Sequence, residues 1–194
     1  MTLRLFFLMN GFSGHDSTVC TPSRRALQII IIWRITERMT GFTDFMHLAL
    51  EQAQMAADAS EVPVGAVIIS AQGELISSAQ NRMLRDGDAT AHAECLAIRT
   101  AMQTARTSRL EGCDLWVTLE PCAMCAGAIA HARLRRVYYA AEDIKGGAVD
   151  NGPRLFSQPT IHHRPEVISG IAEAEARQLL TAFFAARRSP TQNS

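Results

Sequence analysis

The sequence predicts an α/β protein, a three-layer α/β/α sandwich with a central five-stranded mixed sheet. Segments with helical periodicity alternate along the chain with short runs rich in β-branched and apolar residues. This alternation predicts a sheet covered by helices on both faces. A chain of 194 residues, 47% of them hydrophobic and 20% charged, has the length and composition of one soluble domain with a substantial core.

The elements follow from local patterns. Apolar residues recur at helical spacing between Phe45 and Ala56, which predicts a first helix over about 44–59. Thr90 is the expected N-cap of a later helix, and Pro121 opens another because proline is favoured in a first turn. The other predicted elements are strands at 62–70, 74–79, 114–119, 136–140 and 166–169 and helices at 91–106, 122–133 and 172–187, with loops at 81–88 and 145–163.

Residues 1–40 show no sustained periodicity. Their two apolar runs, 5–9 and 26–33, are far shorter than the roughly 20 residues that span a bilayer, and neither resembles a cleaved secretory signal. We expect residues 1–40 to be an N-terminal extension; the alternative is an upstream start codon, with the natural chain beginning at Met39. Residues 41–190 are predicted to be one folded domain.

Charge and cysteine content narrow the setting. Nineteen basic residues balance nineteen acidic ones, so any nucleic-acid partner has to be held by a local basic patch. Five cysteines, an odd number, include one Cys-x-x-Cys, which outside a secreted protein indicates metal or redox chemistry more than a disulfide framework. We therefore expect a protein of the reducing cytoplasm, without a membrane segment.

The most informative residues are His92, Glu94, Cys122 and Cys125. One imidazole and two thiolates offer three ligands to zinc, and three protein ligands leave a position for water, as in catalytic zinc sites. Both halves of the motif fall at predicted helix N-termini, where the helix dipole stabilises thiolates. Glu94 is the predicted proton shuttle. The alternatives are a closed structural site with Cys95 as fourth ligand, or a redox pair; otherwise Cys95 and Cys113 are read as small buried hydrophobes.

His92-Ala93-Glu94 followed by Pro121-Cys122-Ala123-Met124-Cys125 resembles the signature of the cytidine-deaminase-like zinc deaminases. Segments 61–67, 88–94, 117–128 and 145–148 are similar to bacterial tRNA-specific adenosine deaminases, and the similarity extends over about residues 42–188. Ala89, where many members have proline, and Cys95, where an aliphatic residue is usual, depart from the pattern.

The resemblance implies that His92, Cys122 and Cys125 bind one zinc ion, that Glu94 is the catalytic acid and base, and that Asn81 hydrogen-bonds the target base. It also implies a homodimer that converts adenosine to inosine at the wobble position of a tRNA anticodon. Basic residues after the metal motif agree with an RNA substrate; they are Arg133, Arg135, Arg136, Lys145, Arg154, His162, His163, Arg164, Arg187 and Arg188.

Two further functions share these metal residues. A deaminase of a free base or nucleoside, such as guanine or cytosine, has the same site. A catalytically silent zinc-binding subunit is less favoured because Glu94 is retained.

Overall fold

The computed structural model describes residues 44–188, so the predictions for residues 1–40 lie outside the described residues. Five strands form a single sheet in the order β2-β1-β3-β4-β5. They are β1 (Gly65–Ile69), β2 (Leu75–Gln80), β3 (Asp114–Leu119), β4 (Arg136–Ala141) and β5 (Glu166–Ser169).

The helices lie on both sides of this sheet. They are α1 (Met46–Asp58), α2 (Met83–Asp86), α3 (Ala93–Ala105), α4 (Ala123–Ala132) and α5 (Glu173–Arg188), with a 3-10 turn at Leu155–Ser157. None of these described helices combines the length and apolarity that crossing a membrane requires.

The sheet is mixed, as predicted. Strand β1 pairs antiparallel with both β2 and β3, whereas β3–β4 and β4–β5 are parallel pairs. The carboxyl ends of β3 and β4 therefore lie at the same end of the sheet, and the chain leaves both strands there. In sheets of this kind, loops at the carboxyl ends of the strands usually form the binding site.

Alternation along the strands divides the core into two layers. Leu115 and Val117 of β3 pack against one face together with Ala97 of α3 and Ile129 of α4. Trp116, between them in sequence, points to the other face, where Met46 of α1 and Ala176 of α5 cover it. Side chains of successive strand residues point to opposite faces, so both faces are apolar and both are covered. The predicted α/β/α sandwich is confirmed.

Three local predictions are wrong. Pro121 does not lie in the first turn of α4, because the N-cap of that helix is Cys122 and Pro121 precedes it. Residues 81–88, predicted as a loop, contain the short helix α2, which ends at Gly87 in the left-handed conformation (φ 60°). One helical turn is too short to leave a periodic pattern, and here the Glu61 carboxylate stabilises it by accepting the backbone N–H of Arg85 at 2.7 Å. The N-cap position of α3 belongs to His92, while Thr90 hydrogen-bonds Asp88 instead.

Candidate active site

A small cavity of about 160 Å³ lies where β3 ends and where α3 and α4 begin. It combines an apolar floor with several polar side chains. Its lining residues are Val62, Val64, Asn81, Met83, His92, Glu94, Leu119, Glu120, Cys122 and Asp143. Most of the predicted site residues, His92, Glu94, Cys122 and Asn81, therefore meet in one cavity although they are up to 41 positions apart in the sequence.

The backbone aims His92 and Cys122 at each other. Each occupies the N-cap position of its helix in an extended conformation, with φ −71° and ψ 148° at His92 and φ −71° and ψ 173° at Cys122. Neither side chain caps its own helix. Both side chains are thus available to the space between the two helix N-termini.

Cys125 completes a group of three potential metal ligands. The Nδ1 atom of His92 lies 3.6 Å from Sγ of Cys122 and 3.5 Å from Sγ of Cys125, and the three ligand atoms lie within 4.8 Å of one another. A tetrahedral zinc ion with typical Zn–S and Zn–N bonds holds nitrogen and sulfur ligands about 3.6 Å apart. The donor types and their spacing therefore fit zinc.

The electrostatics of the thiols agree with metal binding. A hydrogen bond from Cys125, with further ones from the His92 ring and the Cys125 backbone, outweighs burial and lowers the pKa of Cys122 to about 4. The pKa of Cys125 is raised because its proton is held between the sulfur atoms and the residue is buried. A hydrogen bond with Cys122 is also the main reason that the pKa of His92 is raised. A bound cation would displace the remaining thiol proton.

Glu94 lies one residue into α3, beside the ligand group. Its side chain is only 3% exposed, and burial raises the pKa of its carboxyl group. The structure places it on the cavity wall and outside the group of three ligand atoms. This is the position that a proton-transferring carboxyl group requires, close to the metal group without being a ligand.

Asn81 reaches the cavity from the end of β2. It is 4% exposed, and its side-chain Nδ2 donates to Oε2 of Glu61 at 3.3 Å. Glu61 is itself 1% exposed and holds α2 through the Arg85 backbone. Because Oε2 of Glu61 accepts this bond from the NH₂ group of Asn81, the amide oxygen of Asn81 points away from Glu61.

Two further carboxylates, Glu120 and Asp143, lie on the cavity wall, and the sequence predicted no role for either. Glu120 is 2% exposed and accepts hydrogen bonds from Asp143, Val149, Asp150 and Asn151. Burial acts to raise the pKa of Glu120, but the bonds from Asn151 and its neighbours outweigh it and lower the pKa. The sequence feature that could have identified Glu120 is its position: it follows an apolar strand and directly precedes Pro121 and Cys122.

The other described cysteines do not join the ligand group. Cys95 Sγ lies 3.8 Å from Cys125 Sγ, yet the group that can hold a metal within residues 44–188 has three members and omits it. Cys113 is buried just before β3, at the strand end opposite the cavity. These placements disfavour a closed four-ligand site and agree with Cys113 as a buried apolar residue.

Two of the basic residues predicted to contact RNA lie away from the cavity. Arg135 forms a two-pronged ion pair with Asp114, and Arg136 pairs with Glu166, both at the strand ends remote from the cavity. Lys145 and Arg188, in contrast, line a groove of about 670 Å³ that shares Val62, Leu119 and Asp143 with the cavity. Of the predicted basic residues, Lys145 and Arg188 therefore lie beside the cavity, in a groove that Glu142 and Asp143 also line.

Comparisons with known proteins agree with this site. Residues 39–141 match the family model of the cytidine and deoxycytidylate deaminase zinc-binding region. The chain is 52% identical over 150 residues to the tRNA-specific adenosine deaminase of Agrobacterium fabrum, covering 77% of this chain and 98% of that protein. It is 41% identical over 146 residues to the enzyme of the same name from Bacillus subtilis, covering 75% and 90%.

Two solved structures are also similar. One comes from work on A-to-I editing by tRNA:A34 deaminases at the wobble position of transfer RNA, with a TM-score of 0.69, 53% identity and coverage of 70% of this chain and 98% of that chain. A guanine deaminase from Nitrosomonas europaea has a TM-score of 0.59 and 25% identity, covering 72% and 82%.

Proposed function

The chain belongs to the tRNA-specific adenosine deaminases, within the zinc-binding cytidine and deoxycytidylate deaminase family, and from this premise we propose the reaction that its site performs. It hydrolyses adenosine to inosine, with release of ammonia, at the wobble position of a tRNA anticodon. The observation that carries the proposal is the three-ligand group of His92, Cys122 and Cys125, two of which line the same cavity as the buried carboxyl of Glu94.

His92, Cys122 and Cys125 hold the zinc ion in this proposal. Zinc with three protein ligands supplies a water molecule activated for attack at neutral pH. Glu94 accepts the first proton of the attacking water and donates it to the ring nitrogen. It then accepts the second proton, from the hydroxyl group added to the base, and donates it to the leaving amine, which departs as ammonia. Hydrolysis thus consumes one water and releases one ammonia, and Glu94 ends in its starting state.

Asn81 orients the target base. Its amide is held on one side by the Glu61 carboxylate, so its remaining hydrogen-bonding atoms keep a fixed direction toward a base in the cavity. A fixed amide costs less conformational entropy on binding than a freely rotating one, which favours recognition of one base.

The size of the cavity favours a base that enters alone. Its volume of about 160 Å³ is below the roughly 300–1,000 Å³ of pockets for drug-sized ligands. The adjoining groove offers room to the remaining nucleic acid, and Lys145 and Arg188 in its lining can bind phosphate, while Glu142 and Asp143 line the same groove. A base splayed out of a single-stranded anticodon loop meets these conditions with little unstacking cost.

The organisation of the protein completes the proposal. The deaminase domain spans residues 41–190 and acts in the cytoplasm as a homodimer. Support for the domain comes from the described elements of residues 44–188, which form a single five-stranded sheet with its helices. Support for the dimer comes from family membership and from the small side chains of α4, including Ala128 and Gly127, which permit close packing with a second subunit.

Deamination of a free base is the second candidate function, favoured by the similarity to a guanine deaminase. To separate the two, zinc-loaded protein is given an anticodon stem-loop with a wobble adenosine or, separately, guanine, cytosine or cytidine, and released ammonia is measured. We expect ammonia from the stem-loop, lost in Glu94→Gln. Ammonia from a free base alone would keep the chemistry and overturn the substrate.

A further inference from the structure

We propose that Glu120 is a positioning residue for substrate binding: its buried carboxylate holds residues 143–151, here called the pocket loop, in the shape that places Asp143 on the wall of the cavity. This inference rests on the proposed function for its kinetic consequences, while its structural part can be tested without any substrate.

The hydrogen bonds of Glu120 join both ends of the pocket loop to one side chain. Oε1 accepts the backbone N–H groups of Val149, Asp150 and Asn151 at 3.0, 2.9 and 2.9 Å. Oε2 accepts the N–H of Asp143 at 3.0 Å and the side-chain amide of Asn151 at 2.7 Å. A buried N–H group without an acceptor is costly, so the loop conformation depends on this carboxylate.

The pocket loop also lies directly on the turn that carries a metal ligand. Gly147 forms an isolated β-bridge with Cys122, and the N–H of Ala148 donates to the carbonyl of Pro121 at 2.9 Å. A Cβ atom at Gly147 would lie 2.4 Å from Cδ of Glu120 and 2.5 Å from the backbone oxygen of Asp143. The contact is therefore so close that only a glycine fits against the carboxylate and the start of the loop.

These contacts assign Glu120 to binding rather than to proton transfer. Asp143, at the start of the pocket loop, lines both the cavity and the adjoining groove. The metal ligands and Glu94 are instead positioned by the N-termini of α3 and α4. A loosened loop should thus raise KM for the RNA and leave kcat of the bound substrate almost unchanged.

Glu120→Gln gives a specific prediction because the amide has the size of the carboxylate but only one acceptor oxygen. With its oxygen at the Oε1 position it retains the three N–H groups of 149–151. Its NH₂ group then faces the Asp143 N–H, while the Asn151 amide can turn to present its oxygen. The damage should concentrate at Asp143.

The experiment compares the zinc-loaded full chain with three variants by amide hydrogen exchange, zinc content, and KM and kcat on an anticodon stem-loop. For Glu120→Gln we expect exchange at Asp143 faster by about tenfold and KM higher by about tenfold, with kcat within threefold and zinc content unchanged. Gly147→Ala keeps the charge of Glu120 but crowds both its carboxylate and the Asp143 backbone, so exchange should rise across the whole pocket loop and KM should rise too.

Asp114→Asn is the matched control. It removes a carboxylate from the other end of β3, where the partner is Arg135, and should lower the melting temperature without changing loop exchange or KM. The proposal would be overturned if residues 143–151 of Glu120→Gln exchanged at the wild-type rate. It would also be overturned if their exchange were no faster than in the Asp114→Asn control. Faster loop exchange in a protein that does not deaminate RNA would uphold the positioning role and refute the proposed function instead.

Discussion

Replacing Gly65 with alanine tests how closely α1 rests on the sheet. Gly65 opens β1, and a Cβ atom there would lie 2.0 Å from the carbonyl oxygen of Ala49, 2.5 Å from the amide nitrogen of Ala53 and 2.7 Å from Cβ of Gln52. Two of these three atoms belong to the backbone of α1. No flexible side chain can move aside, so the whole helix has to retreat.

The size of that retreat sets the expected cost. Ordinary contact begins at 3.4 Å, so α1 must withdraw by more than 1 Å at its closest point. The helix buries Met46, Ala49, Ala53 and Ala56 completely, and withdrawal loosens all four. Overpacking a core typically costs about 1–3 kcal/mol. With backbone as the obstacle we expect about 3 kcal/mol, which lowers the melting temperature of a chain of this length by about 6–12 °C.

Thermal unfolding of the zinc-loaded protein, followed by circular dichroism, measures this effect. Glu51→Ala is the control, because Glu51 lies on the exposed face of the same helix and surface substitutions usually change stability by less than about 0.5 kcal/mol. We expect Glu51→Ala to melt within about 2 °C of the wild type. A Gly65→Ala protein that melts within about 2 °C of the wild type would refute the direct packing of α1 on β1.

Three further predictions concern the site. Cys122→Ser should lose bound zinc, measured by atomic emission, whereas Cys95→Ser should retain one zinc per chain; zinc loss in the second variant would show a four-ligand site. Glu94→Gln should keep its zinc and lose about 10²- to 10⁴-fold in kcat, and retention of activity in single-turnover assays would exclude Glu94 as proton carrier. Asn81→Ala should lower kcat/KM on the stem-loop by about tenfold; equal activity of variant and wild type would remove Asn81 from base recognition.

Much of the fold could be predicted because its signals are local. Strands β3 and β5 coincide with their predicted bounds, 114–119 and 166–169, since each is a short apolar or β-branched run between turn residues. The short helix α2 could not be predicted, because its stability depends on the Glu61 carboxylate, 24 positions away from Arg85 in the sequence. Tertiary contacts of this kind leave no periodic pattern.

The ligand group was predictable for a different reason. Histidine and cysteine residues at this spacing are typical of zinc sites, and the structure brings His92, Cys122 and Cys125 together. The buried positions of Glu61 and Glu120 could not be predicted. An acidic side chain is usually solvated, and the burial of these two is visible only in the structure. Arg135 and Arg136 do not contribute to the predicted basic patch, because their charges are paired with Asp114 and Glu166 at the far end of the sheet.

The central claim is that this site deaminates the wobble adenosine of a tRNA. The most direct measurement incubates zinc-loaded protein with an intact tRNA transcript that carries adenosine at the wobble position and at other loop positions, and maps inosine by mass spectrometry of nuclease fragments. We predict inosine at the wobble position alone, absent with Glu94→Gln. Unmodified wobble adenosine in the presence of fully zinc-loaded protein, or inosine scattered over the other loops, would contradict the account.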